Sequence, residues 1–502
     1  MRRVLGVVAV VLILVTAGCV SAPAPAGPTA TQEPSTASPS TQTTPTEPPQ
    51  GDPSPTDDPP PDPKTDPLGW EDGYWHNETL DIDPTDGLNR SELDAVVARG
   101  MARVEATRGL EFEKPINVRI IDRAEFRNQS TGGRNSTTAQ RLHQDVKFEA
   151  LLFIGEGASA ISQQEENRAE GVLGYYAPGD HNITIVSDSG PPLQMDEVTL
   201  AQELFHAVQE EHFSVSNRTS KTEEERNANL GIIEGDGNYV DYLYEQRYAE
   251  DLVTPSVAGG SGSGGDRHIG LFALRFQPYS DGPPFVQGIR EETGWAGVNE
   301  VYDNYPESSE QTIHPEKYLV DDPVNVTIDD RSSEQWTVPD QGEGHIDYAE
   351  FGEPGLYAML WYPSYEATSE GGTATDVVIP YRHFFQTAGQ VDAYNYSHPV
   401  TTGWEGDRLL PYVRADSADT NETGYVWRIE WETVSDATEF RDAYVELLSY
   451  HGGMNVAGSE SVYRIQEGPF ADAFAIRQDG TTVTIVNAPT VEELDAVHNG
   501  AR

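Results

Sequence analysis

The chain has 502 residues, with 83 Asp and Glu against 32 Lys and Arg and a formal net charge of −51 at pH 7. That balance excludes nucleic acid and argues against an anionic lipid surface as the main partner, because phosphates would be repelled. Lysine is confined to Lys64, Lys114, Lys147, Lys221 and Lys317 and the acidity is spread along the chain, a composition suited to very high salt, where repulsion among carboxylates is screened.

At the N-terminus, Arg2 and Arg3, an apolar run from Val4 to Val15 and then small residues read as a signal peptide over residues 1–18. The run is too short to be a comfortable membrane span. It ends in Thr16-Ala17-Gly18-Cys19, which resembles the lipobox of exported lipoproteins. The resemblance implies a lipid on Cys19 and anchorage at the extracellular face of the cell membrane. Cys19 is the only cysteine, so no intrachain disulfide can staple the rest. Residues 19–66 are dominated by Pro, Thr, Ser, Ala and Asp, with too little apolar surface to offset the entropy of ordering; they read as a disordered tether.

Aromatic and apolar residues return at Leu68-Gly69-Trp70. Asn89-Arg90-Ser91-Glu92 is a capping box that opens a helix to about Val104. Pro115–Ile121, Phe148–Ile154, Val172–Tyr176 and Asn182–Val186 read as strands, and the last two as a hairpin turning at Pro178–Asp180. The final strand, with Asn182, Thr184 and Val186, is expected at a sheet edge, where an extended peptide could add. Asp196–Phe213 follows as an amphipathic helix with Leu200, Leu204 and Val208 on one stripe and Gln202, His206 and Gln209 on another. A long helix covers Glu223–Tyr248, and Gly259–Gly265 is a Gly/Ser loop. Beyond it, helices at Phe285–Glu292 and Asp436–Tyr450 alternate with strands at Tyr425–Thr433, Ser461–Ile465 and Thr481–Val486. No second linker interrupts the ectodomain, which is expected to be α+β, with a core over residues 67–320 and its C-terminal part over 321–502.

The chemistry concentrates in Gln202-Glu203-Leu204-Phe205-His206. In His-Glu-x-x-His on a helix, two imidazoles one turn apart bind Zn²⁺ and the Glu serves as general base. Here Gln202 takes the first ligand position, and a neutral amide is a poor zinc ligand. Three readings stand: a working hydrolase, a binding module on a hydrolase fold, or coincidence. His181, His212, His268, His314 and His345 are the histidines available to replace the lost ligand, with His212 poorly placed six residues along the same helix.

Several ordered blocks carry a wider resemblance. They are the Gly174-Tyr175-Tyr176 hairpin, Thr199 to Gln209, Glu234-Gly235-Asp236, Ser309 to Tyr318, and Gly403-Trp404-Glu405-Gly406-Asp407-Arg408. Together they resemble a family of zincin-like metallopeptidase domains of the gluzincin type, including exported lipoproteins of halophilic archaea. The resemblance implies a zincin-like fold with a C-terminal α/β extension, His206 and Glu234 as metal ligands, and Glu203 as the base. Gln202 departs from that pattern. The leading expectation is therefore a lipid-anchored surface protein that binds a peptide, glycan or surface protein and uses no cofactor. The alternative is a zinc peptidase with the ligand set Gln202, His206 and Glu234.

Overall fold

The computed structural model describes residues 61–130, 136–188, 195–254, 267–369, 376–387, 389, 391–415 and 422–501. The signal sequence, Cys19, most of the tether and the Gly259–Gly265 loop lie outside the described residues.

Trp70–Glu71 (β1) and Tyr74–Trp75 (β2) form a tight hairpin. Its Asp72-Gly73 turn has φ of 46° and 97°, the doubly positive geometry that Asp-Gly permits. The predicted capping box is present: Asn89 accepts from the backbone of Ser91 and Glu92, Glu92 returns a bond to Asn89, and α1 runs from Arg90 to Arg108 before left-handed Gly109. Next come Asn117–Asp122 (β3), Arg123–Ser130 (α2), Thr138–Ala150 (α3), Ala160–Gly171 (α4), Gly174–Ala177 (β4) and Asn182–Ser187 (β5). Glu197–Phe213 (α5) and Glu223–Tyr248 (α6) match the expected helices closely. Ile269–Val301 (α7) is longer than the Phe285–Glu292 segment read from sequence, and breaks at Gly294, where φ is 72°. Glu310–Ile313 (α8), Trp336–Thr337 (β6), Gly352–Ser369 (α9), Trp404–Arg414 (β7), Thr423–Trp431 (β8) and Val434–Tyr450 (α10) follow. Met454–Asn455 (β9), Val462–Arg464 (β10), Ala473–Asp479 (β11), Thr482–Ala488 (β12) and Leu494–Val497 (α11) complete the described chain.

Three expectations are corrected. Phe148–Ile154 is not a strand: Phe148 to Ala150 finish α3, and Leu152 then turns with a φ of 53°. The run is apolar because nearly all of it is core, and a short continuous apolar run does not distinguish strand from buried helix. Asn182–Val186 is not an edge strand. β5 lies in the middle of a three-stranded sheet, parallel to β3 and antiparallel to β4, so Asn182, Thr184 and Val186 already face paired strands on both sides. Its unbroken burial, unlike the alternation of β4, reflects that position. Lastly, the C-terminal sheet, ordered β6-β7-β8-β12-β11-β10-β9, is antiparallel throughout, so this part is α+β and not an α/β extension.

One apolar core joins the end of α3, the start of α7, α9 and α10 to one face of the large sheet, crossing the 320/321 boundary without a break. α11 and Trp336 cover the other face. A second core packs α1, α5 and the end of α6 against the small sheet, and this core positions the motif.

Candidate functional site

Asp196 caps α5 by accepting from the backbone of Val198 and Thr199. Leu200, Leu204 and Val208 then anchor the helix in the core, as their spacing predicts. This fixes the next stripe, Gln202, His206 and Gln209, towards α6 and α7. α6 brings Glu234, and three glycines let backbone come close. A Cβ on Gly174 of β4 would lie 2.9 Å from Glu203 Oε1, and one on Gly237 would lie 3.3 Å from His206 Cε1. A Cβ on Gly282 of α7 would meet the carbonyl oxygen of Gly231 at 2.5 Å, so α6 and α7 touch backbone to backbone.

The structure therefore does bring the motif residues together. His206 Nε2 stands 3.5 Å from Glu234 Oε2. Glu203, His206 and Glu234 are each 0% exposed, and Gln202 is 6% exposed. Both oxygens of Glu203, both oxygens of Glu234 and Nε2 of His206 are buried without a hydrogen-bond partner.

A relay behind His206 assigns its tautomer. Gln209 Nε2 donates one proton to the carbonyl oxygen of Ile233 at 2.8 Å and the other to the Tyr302 hydroxyl at 2.7 Å. Its Oε1 must therefore face His206 Nδ1, 2.7 Å away, as acceptor. Nδ1 carries the proton and donates it, which leaves a bare lone pair on Nε2 aimed towards Glu234. The relay continues as Tyr302 donates to Asp236 Oδ2 at 2.8 Å, and Asp236 is clamped by Arg108, which also donates to Asn299 at 2.7 Å. Asp236, two residues past the candidate ligand Glu234, is thus a counter-ion for Arg108. Gln209 shares the stripe noted in the sequence; Tyr302, Asn299 and Arg108 carried no sequence signal, since they arrive from α7 and α1.

Electrostatics follow burial. Burial first, and then the neighbouring Glu234, hold the Glu203 carboxyl well above the usual carboxylate range; the Tyr176 backbone amide offsets a little of this. Burial pushes Glu234 up to about 8 against the smaller opposing effects of the Tyr279 hydroxyl and the Arg226 guanidinium. Burial also lowers His206 to about 4, with the Gln209 bond opposing. In neutral solution the His206 imidazole and the Glu234 carboxyl are uncharged. Burial thus biases Glu203 towards its neutral form, in which a carboxyl is a weak proton acceptor.

Whether these residues suit zinc can be tested on their donors. Two ligands at about 2.1 Å from a tetrahedral ion lie about 3.4 Å apart, close to the 3.5 Å between His206 Nε2 and Glu234 Oε2. Among the described residues no third His, Cys, Asp or Glu ligand atom joins this pair. The remaining position on α5 carries the Gln202 amide. The replacement histidines are engaged elsewhere. His181 Nδ1 meets the Tyr176 hydroxyl at 2.9 Å, His212 Nε2 the Glu111 carbonyl at 2.7 Å, and His268 Nε2 the Phe153 carbonyl at 2.7 Å. His314 Nε2 is 3.0 Å from Glu353, and His345 Nε2 is 3.1 Å from Gln140. The donor set does not fit a catalytic zinc site.

Asp407 is not bridged to Arg408: it accepts from the backbone of Phe351 and Gly352 and from Trp427 Nε1, while Arg408 pairs with Glu350 at 2.7 Å. Tyr176, Trp361 and Trp404 are core residues.

Compared with known proteins, residues 337–498 match a family model described as a domain of unknown function, DUF8575. The matched segment starts within β6 and ends past α11, so it covers the large sheet and excludes Gln202, Glu203, His206 and Glu234. No curated protein and no solved structure matches the chain.

Proposed function

We propose that the chain is a lipid-anchored surface protein whose zincin-like domain has lost peptidase chemistry and now serves as a rigid head for binding. The observation that carries this reading is the closed cluster on α5 and α6. Glu203, His206 and Glu234 are shut away from solvent, His206 Nε2 and Glu234 face one another as unsatisfied groups, and an amide stands at the first ligand position. Hydrolysis needs an ionised base beside a polarised water that substrate can reach. Glu203, buried and biased towards its neutral form, is poorly placed for that role.

For binding, the small sheet has two outer edges, β3 and β4, since β5 is paired on both sides; the β4 edge, beside the motif helix, is where an extended peptide would add. β4 runs beside α5, with Gly174 against Glu203. A peptide ligand would meet Tyr175, which is half-buried on this strand. The net charge of −51 favours a neutral or cationic partner and a high-salt setting. Cys19 would supply the membrane anchor.

Zinc content and peptide hydrolysis separate the alternatives. The wild-type chain should retain no stoichiometric zinc through dialysis and cleave no peptide, and Gln202→His should gain zinc. Wild-type hydrolysis abolished by Glu203→Gln would overturn the reading and restore the peptidase with Gln202, His206 and Glu234 as its ligands.

A further inference from the structure

A second acidic centre lies away from the motif, where α3 meets the large sheet. Glu149 in the last turn of α3, Glu156 in the loop after it and Asp472 just before β11 each present a carboxylate oxygen, all within 4.8 Å of one another. Their convergence is built by backbone. The Glu156 amide donates to the Pro469 carbonyl at 2.8 Å, and the Ile465 amide donates to the Asp472 carbonyl at 2.9 Å. Gly155 lies flush on Pro469, where a Cβ would come within 2.3 Å of the proline Cβ.

Acidic side chains in proximity are common, and a second feature distinguishes this group. Asp472 is 1% exposed; its Oδ2 accepts from Asn487 Nδ2 at 2.9 Å, but its Oδ1 is buried with no partner. The groups facing that carboxylate are the two other carboxylates, with the Arg464 guanidinium as the nearby positive charge. Glu149 is likewise buried; it accepts a long contact, 3.5 Å, from Thr423 Oγ1 and otherwise faces Asp472. Three carboxylates beside one guanidinium leave an excess of negative charge in a largely dry setting, and a buried unpaired charge is costly. The other group of three, Asp321, Glu405 and Glu432, differs: Lys317 pairs directly with Asp321 and Glu432.

We propose that Glu149, Glu156 and Asp472 form a site for a divalent cation of the calcium type. Hard oxygen ligands at about 2.3–2.6 Å from Ca²⁺ can stand at most about 5 Å apart, which accommodates the observed separations. Glu156 is exposed, so it gives the ion an entrance and leaves room for water ligands. Burial raises all three carboxyls, and repulsion by the neighbouring carboxylates adds to it for Glu149 and Glu156, the latter to about 7. The ion would cross-link α3, which precedes the matched DUF8575 segment, to β11 within it.

The test uses the full chain and Tb³⁺ as probe, excited through Tyr425 and Tyr444, whose hydroxyls are 3.3 Å apart beside Glu149. Expected is Tb³⁺ emission competed away by Ca²⁺, together with a saturable rise in Tm with Ca²⁺ at fixed ionic strength. Fixing the ionic strength removes the general screening that any salt gives so acidic a chain. Asp472→Asn should abolish the saturable response. Glu156→Gln, an exposed change that leaves the packing intact, should weaken the apparent Ca²⁺ affinity about tenfold. Equal Ca²⁺ responses in wild type and both variants, or a Tm rise matched by NaCl alone, would overturn the proposal.

Discussion

Replacing Glu234 by Met tests the sealed-cluster reading most directly. Met has similar length and no polar group, and it enters a space bounded by His206 Nε2, Tyr279 and Arg226. The carboxyl is raised from 4.5 to about 8 in the fold. Below pH 4.5 it is protonated in both folded and unfolded chains and adds no pH dependence. Above 4.5 the unfolded chain ionises while the folded one stays protonated, so stability falls by about 1.4 kcal/mol per pH unit until the folded group titrates near 8. At pH 7 the penalty has reached about 3 kcal/mol. Two buried oxygens without partners add about 1–3 kcal/mol at any pH. Glu234→Met should therefore be slightly more stable than wild type at pH 4.5 and markedly more stable at pH 7. Urea unfolding of both proteins at the two pH values, in the same high salt, measures the difference. If the substitution instead destabilises at pH 7 by several kcal/mol, Glu234 is an ionised group that holds a cation, and the pseudoenzyme reading fails.

Three further outcomes follow from the packing. Gln209→Met removes the bonds Gln209 makes to the Ile233 carbonyl, His206 Nδ1–H and the Tyr302 hydroxyl, which keeps its bond to Asp236, so it should cost about 3 kcal/mol in chemical unfolding; an effect below about 1 kcal/mol would mean the relay is not formed. Gly282→Ala forces a Cβ against the backbone of Gly231 and Gly235, neither of which can swing aside; loss of soluble, folded protein is expected, and a Tm within a few degrees of wild type would show that α6 and α7 are not in backbone contact. Asp407→Asn exchanges a carboxylate serving Phe351, Gly352 and Trp427 for an amide with a single acceptor oxygen, and should cost about 2–4 kcal/mol by calorimetry; no loss would contradict the hydrogen bonding described.

What could be read from the residues alone was local. The stripe Leu200, Leu204, Val208 fixed which way α5 faces, Asn89 and Glu92 fixed where α1 begins, and the amide at Gln202 already announced a damaged ligand set, because helix period and capping depend on neighbours a few residues apart. The small sheet's order was not local. Nothing in Asn182–Val186 states that β3, more than sixty residues earlier, lies beside it, so a central strand passed for an edge. Likewise the apolar run Phe148–Ile154 is equally a strand or a buried helix end until its neighbours are known. The same limit governs the chemistry. Sequence placed Gln202 and His206 one turn apart with Glu203 between them, but only tertiary packing decided that five histidines point to other partners, that Gln209 and Tyr302 set the His206 tautomer, and that Glu149, Glu156 and Asp472 meet. Long-range contacts are chosen by how whole faces fit and what they leave unsatisfied, and that information is spread over segments far apart in the chain.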